Sequence, residues 1–135
     1  MTLPFLDTNV LLRHLLADHP EQSPRATAFL ARVERGELRV RTADTVIFEV
    51  VFVLQRHYRV QKTAIRDQLG ALLDLPGIVL PGKRRLRRVF DLYVDLNLPF
   101  ADAYHAVLMA SWKLSEIATF DREFDRVPGM RRLEL

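Results

Sequence analysis

Short apolar runs alternate along this chain with longer stretches whose apolar residues recur at helical spacing, and that alternation narrows the fold more than any other feature. Residues 3–6, 38–41, 78–80 and 117–119 read as strands, and 133–135 as a last edge. Between them lie helical faces. Val10, Leu11, Leu12, Leu15 and Leu16 mark the first. Ala26, Phe29, Leu30 and Val33 mark the second, opened by Ser23-Pro24 and closed by Gly36. A third runs from Asp44 to Arg56 with Ile47, Val50, Val51 and Leu54 in phase; its β-branched residues make a strand the alternative, and length and spacing favour the helix. Ile65, Leu69, Leu72 and Leu73 form a fourth face before Pro76-Gly77, Leu86, Val89, Phe90 and Tyr93 a fifth, and Ala103, Ala106, Val107 and Ala110 a sixth beginning near Asp102. Strands alternating with helices predict a parallel sheet covered on both faces, an α/β domain of doubly wound type. In such sheets sites form beyond the carboxyl ends of strands, so the polar residues found there become the candidates.

The 135 residues, 49% of them hydrophobic, suit one domain spanning 1–135. With no cysteine there is no disulfide framework, zinc-thiolate site or thiol nucleophile, so any metal must be held by oxygen or imidazole. The start, Met1-Thr-Leu-Pro-Phe-Leu-Asp7, has no basic region and meets an aspartate at once, which argues against a signal peptide. No apolar run is long enough to span a bilayer. The expectation is a soluble protein of the reducing cytoplasm, with no membrane partner. The net charge is +3, yet the pI is 9.7 because arginine dominates the basic residues. That composition suits an anionic partner and equally suits a GC-rich coding bias.

Four carboxylates fall where a core would not want them. Asp7 directly follows an apolar strand, and Asp121 follows Ile117-Ala118-Thr119-Phe120; each could also be a turn former or helix cap. Glu49 is the single charge among the eight apolar residues of Val46-Ile-Phe-Glu49-Val-Val-Phe-Val-Leu54, and a carboxylate buried in such a helix must be paired, hydrogen-bonded, protonated or bound to a cation. Asp102 stands at the start of an alanine-rich helix, where an N-cap is the simpler reading. Carboxylates brought to about 5 Å at an effective dielectric near 20 repel by about 3 kcal/mol per pair. Divalent cations relieve that repulsion, and an all-oxygen set selects magnesium or manganese.

These segments resemble the PIN-domain nucleases, and in particular VapC-type toxins of toxin–antitoxin systems. The resemblance rests on Leu6-Asp7-Thr-Asn9-Val-Leu-Leu, Ile47-Phe-Glu49-Val-Val-Phe-Val-Leu54, Pro99-Phe100-Ala101-Asp102-Ala103 and Ala118-Thr119-Phe120-Asp121-Arg-Glu-Phe124, in this order and across nearly the whole chain. It implies a three-layer α/β/α Rossmann-like fold with a central parallel sheet and an acidic pocket for magnesium, with manganese as a substitute. It implies hydrolysis of RNA phosphodiester bonds. Asp7, Glu49 and Asp102 match the core acidic positions, Asp121 the less regular fourth, and Asn9 and Thr119 the accessory polar positions; Glu123 and Asp125 are further acids nearby. Membership would also imply a cognate antitoxin whose tail covers the active-site groove, and a homodimer.

Metal-assisted hydrolysis by water is expected to leave 5′-phosphate and 3′-hydroxyl ends. The rival bases His14, His57 and His105 lie in helical segments beside apolar residues, with His105 one turn after Asp102. Residues 83–88, Lys-Arg-Arg-Leu-Arg-Arg, form the densest basic run, either a track for an RNA backbone or a solvated helix face. Three other readings compete. A PIN nuclease could work in RNA processing without an antitoxin. A non-catalytic RNA-binding protein could retain the fold. A phosphatase of the haloacid-dehalogenase type would want a second aspartate where Asn9 stands.

Overall fold

The computed structural model describes residues 3–135, so Met1 and Thr2 of the amino-terminal stretch weighed above lie outside the described residues. The elements run α1 (Thr8–Leu16), α2 (Gln22–Glu34), β1 (Val40–Arg41), α3 (Asp44–Arg56), α4 (Lys62–Leu73), β2 (Ile78–Val79), α5 (Lys83–Asp95), α6 (Phe100–Ser111), β3 (Glu116–Ile117), a 3-10 helix (Arg122–Arg126) and β4 (Arg131–Arg132). They divide between two compact units, Met1–Lys83 and Arg84–Leu135, each with its own two-stranded parallel sheet.

In the first unit β1 bonds on both edges. Val40 N–H donates to Gly77 O at 2.8 Å and Thr42 N–H to Val79 O at 3.0 Å, while on the other side Leu6 N–H reaches Arg41 O at 2.7 Å and Arg41 N–H reaches Pro4 O at 2.9 Å. The strand expected over 3–6 is therefore reduced to one parallel bridge, Phe5 to Arg41. Pro4 has no N–H to extend the ladder, which confines such a segment to an edge. The Thr42 hydroxyl, buried, donates to Leu6 O at 2.9 Å and ties the end of this bridge to β1.

The third segment is a helix, as its length and spacing indicate. Val46, Ile47, Val50, Val51 and Leu54 are buried along one face of α3. The second helix starts one residue before Ser23, and not through a Ser23 cap: Ser23 is buried and accepts from His19 N–H. His19 Nδ1 instead accepts from Gln22 N–H at 2.9 Å and Glu21 N–H at 3.3 Å, satisfying donors that a helix start leaves free.

In the second unit Leu86, Val89, Phe90 and Tyr93 of α5 are buried, as their spacing requires. Phe90 and Phe100 lie 4.9 Å apart by ring centroids, and Tyr93 meets Phe100 edge-on at 5.4 Å. Burial pushes the Tyr93 hydroxyl up to about 12. The sixth helix begins at Phe100, two residues before the expected start, with Pro99 at the N-cap. Ala110, expected inward, is exposed in the last turn, and Met109 is buried instead. The strand expected over 117–119 is set back to Glu116–Ile117, because the Thr119 side chain closes a turn onto Asp121 N–H. The last edge, expected at 133–135, is Arg131–Arg132, and Leu133 N–H continues the pairing to Ile117 O at 2.8 Å. Among the described residues no helix is long and apolar enough to cross a membrane.

Two glycines of the first unit test this packing with opposite signs. A Cβ on Gly77 would stand 2.8 Å from Val33 Cγ1, 3.0 Å from Leu38 O and 3.1 Å from Val33 O. Neither backbone oxygen can retreat without disturbing α2 or the approach to β1, so Gly77→Ala is expected to cost about 1–3 kcal/mol. Gly70 lies inside α4 with nothing within 4 Å of its Cβ direction. Gly70→Ala is expected to add about 0.5–1 kcal/mol. Urea unfolding of both variants beside the parent checks the pair.

Candidate functional site

Asp7 ends the bridge segment and takes the N-cap position of α1 with extended backbone, φ −89° and ψ 162°. Its side chain makes no capping hydrogen bond and is exposed, so capping does not account for the carboxylate. Thr8, the first residue of α1, is only 3% exposed, and its hydroxyl donates to Glu49 Oε2 at 3.0 Å. This bond crosses between α1 and α3, which pack together, and it fixes one rotamer of Glu49 beside the start of α1.

Glu49 corrects the expectation of a buried carboxylate. The residue is exposed on the flank of α3, while Val46, Ile47, Val50, Val51 and Leu54 turn inward. An apolar helix of thirteen residues still has an outer side, here occupied by Glu49 and by Phe52, which is 55% exposed. Asn9 follows Thr8 in the first turn of α1. It lines an open groove of about 440 Å³ between α1 and α2, with Phe5, Val10, Arg13, Arg25 and Phe29.

In the second unit Asp102 is not the helix cap. It lies in the first turn of α6, where an acid is favoured by the exposed N–H groups and the helix dipole. Carboxylate oxygens of Asp102, Asp121 and Glu123 all lie within 4.8 Å of one another. The turn that brings them together is built by the chain itself. Asp121 N–H donates to Thr119 Oγ1 at 3.0 Å, and Asp121 Oδ1 accepts from Glu123 N–H at 2.9 Å. Thr119 thus shapes the backbone, and Asp121 serves both as the turn former the sequence allowed and as a member of the cluster.

Of the two nearby acids, Glu123 joins the cluster and Asp125 does not. Asp125 is held by Arg132 through hydrogen bonds of 2.8 and 3.2 Å, and that guanidinium lowers its pKa. Glu123 could have been chosen over Asp125 from its place two residues after Asp121, in the turn that Asp121 caps. Thr8 went unnoticed altogether; its only signal in the sequence is a small hydroxyl between Asp7 and Asn9.

Burial raises the pKa of Asp102, and the charges of Asp121 and Glu123 and a hydrogen bond shared with Asp121 push it further the same way, while His105 opposes them. The cluster therefore gathers like charge around Asp102. Three hard oxygen donors with neither thiolate nor imidazole among them fit magnesium or manganese. Of the rival bases, His14 is engaged with Thr27 at 2.8 Å, with its pKa lowered by burial, and His57 meets Phe52 edge-on. His105 acts on Asp102 through its charge.

A raised carboxyl pKa means that the folded protein binds more protons than the unfolded one in the window between the two values. Its contribution is present below the unfolded pKa and is lost as pH rises through the folded value. In EDTA, Asp102→Asn is expected to raise the melting temperature at neutral pH and to lose that advantage in acid. Adding magnesium is expected to raise the melting temperature of the parent and not of the variant. Thermal scans across pH, with and without the metal, check both.

Residues 5–130 of this chain match the family described as PIN domain. A VapC ribonuclease of Mycobacterium bovis is 27% identical to it over 133 residues, covering 95% of this chain and 97% of the relative. Ribonuclease VapC13 of Mycobacterium tuberculosis matches to the same extent, 27% over 133 residues and 95% and 97% of the two chains. The family's fold is of the three-layer α/β/α class that the alternation of strands and helices anticipates, and the match takes in every acidic residue described above. The chain belongs to the PIN-domain family.

Proposed function

We propose that this protein is a magnesium-dependent endoribonuclease, working as one PIN domain, with Asp7, Glu49, Asp102 and Asp121 as its acidic set and Glu123 as a fifth contributor. The observation that carries the reading is the cluster of Asp102, Asp121 and Glu123, in which burial and like charge hold the Asp102 pKa up. An acidic cluster of this kind gains from a cation, and it occurs in a chain of the nuclease family whose relatives are named as VapC ribonucleases.

Asp7, Glu49, Asp102, Asp121 and Glu123 would supply the oxygen ligands, with manganese as a substitute for magnesium. Bound there, the ion would supply Lewis acidity, drawing in the scissile phosphate, acidifying a water and neutralising the leaving oxygen. Thr8 holds Glu49 in one orientation, the role an outer hydrogen bond plays for a ligating carboxylate. Asp121 fixes the backbone that carries Glu123. His14 is engaged by Thr27 and His57 by Phe52, which supports attack by an external water over base-assisted attack by the RNA 2′-hydroxyl. The products would then carry 5′-phosphate and 3′-hydroxyl ends.

Resemblance to VapC proteins further supports a toxin held in check by a cognate antitoxin, as a homodimer in the cytoplasm. The open groove between α1 and α2, apolar through Phe5, Val10 and Phe29 and basic through Arg13 and Arg25, suits a short amphipathic tail with acidic residues. Suppression of cleavage by the product of a small adjacent reading frame would separate this reading from an RNA-processing nuclease without an antitoxin.

The test is cleavage of mixed cellular RNA under magnesium, manganese or EDTA, with fragment ends sequenced. Metal-dependent cuts with 5′-phosphate ends are expected, lost in Asp7→Asn and Glu49→Gln. Thr8→Val, which keeps the shape and removes the hydroxyl, is expected to lower activity by about 10–100-fold. Fragments ending in 2′,3′-cyclic phosphate would overturn the mechanism. Cuts that persist in both carboxylate variants would overturn the residue assignment, and a protein that binds RNA without cutting it would be the non-catalytic alternative.

A further inference from the structure

The basic run of residues 83–88 remains unused by the site. Structure separates its members. Lys83 Nζ donates to Leu75 O at 2.8 Å, which makes it a fastener for the end of α4. Arg84, Arg85, Arg87 and Arg88 are exposed on the side of α5 opposite its buried Leu86, Val89, Phe90 and Tyr93. Among the described residues, Arg84, Arg85 and Arg88 have no hydrogen-bond or ion-pair partner.

This placement is unfavourable for the helix itself. The amino-terminal turns of a helix carry exposed N–H groups and the positive end of its dipole, and they prefer acids. Here the first turn holds no acid, and the last turn holds no base. Asp91 and Asp95 stand further along, toward the negative end. Arginines three and four positions apart also repel, Arg85 with Arg88 and Arg84 with Arg88. A solvated face selected for helix stability would carry the reverse order. Charges arranged against local stability mark a site where the missing counter-charge comes from outside.

We propose that the Arg84, Arg85 and Arg88 face of α5 docks the phosphate backbone of the RNA strand. The proposal rests on the ribonuclease reading and adds a binding surface on another element from the acids. Guanidinium forks suit phosphate oxygens, and side chains three or four apart on a helix stand about 5–6 Å apart at Cβ, so neighbouring arginines can follow neighbouring phosphates. The exposed N–H groups of the first turn add to the same field. Contacts of this kind set affinity and orientation and carry no sequence preference.

The test uses the full chain in EDTA, so that binding is read without cleavage. Anisotropy of a fluorescein-labelled polyuridylate is followed through a salt series for the parent, for R84Q/R85Q/R88Q, and for R39Q/R59Q/K113Q, which removes equal charge at exposed positions elsewhere. The α5 variant is expected to bind more than tenfold more weakly, with its slope against log salt reduced in magnitude by about 2, as loss of three phosphate contacts on a single strand requires. The control variant is expected to stay within twofold. Its melting temperature aside, glutamine sustains a helix well, and the α5 variant is expected to melt no lower than the parent. Equal weakening in both variants would show that only net charge matters and would overturn the proposal. So would unchanged RNA binding in the α5 variant, including the case in which that variant loses affinity for polyglutamate and the face is thereby shown to take an acidic protein. Cleavage of bis-p-nitrophenyl phosphate under magnesium, measured in parallel, reports the nuclease separately: its absence from the parent would count against the ribonuclease reading while leaving the binding result to stand or fall alone.

Discussion

Parallel pairing on both edges of Val40–Arg41 organises the first unit. Hydrogen bonds to Gly77 and Val79 hold one edge and bonds with Pro4 and Leu6 hold the other, so three chain segments far apart in sequence end side by side. Everything that follows these segments inherits its position. Asp7 comes directly after Leu6, and α3 with Glu49 begins three residues after Arg41. Thr8 then links the two helices that leave this sheet, through a bond between residues 41 positions apart. The same logic recurs in the second unit on a smaller scale, where β3 leads into the turn of Thr119, Asp121 and Glu123 and that turn leads back to β4.

The acids are placed at a cost to local stability. Asp7 occupies a cap position without capping, which forgoes a bond typically worth about 1 kcal/mol. Asp102, Asp121 and Glu123 share one small volume, while Arg132 hydrogen-bonds Asp125 and reaches Asp121 through its charge alone. The contrast is informative. Where a carboxylate is structural, as at Asp125, Glu37 and Glu116, it is paired with an arginine. Asp102, Asp121 and Glu123 stand instead with one another, none of them in an ion pair with a described residue, and a cation is the counter-charge that would satisfy the cluster.

The helices are legible in the sequence with little error because their buried faces are long enough to show a period. The faces of α3 and α5 emerged as their spacing indicated. The strands were legible only as positions, since two residues of ladder give no period to read, and Pro4 and the Thr119 turn shorten what apolar runs suggest. Asp7 and Asp121 are legible as candidates because each follows an apolar run, Asp7 directly after the bridge segment and Asp121 in the turn beyond β3. Glu49 stands out in the sequence as one charge in an apolar helix, which implies burial, whereas the exposed flank of α3 carries it in the structure. Thr8 depends on a contact between two helices, which spacing along the chain does not encode, whereas Glu123 lies in the local turn that Asp121 caps.

Helix α5 shows how the two kinds of information combine. Its apolar face was dictated by packing and would be the same in any protein that buried Leu86, Phe90 and Tyr93. Its outer face was free to vary, and surface positions of a helix are where propensity and dipole normally decide. The order found there, arginines first and aspartates later, opposes both the dipole and the spacing of like charges. A coding bias toward arginine explains why the bases are not lysines, but it does not explain why Arg84, Arg85 and Arg88 gather in the first two turns with no acid among them. The aromatic packing of Phe90, Tyr93 and Phe100 beneath this face anchors the helix independently of its charges, which is the condition under which an unfavourable surface can persist and be used for binding.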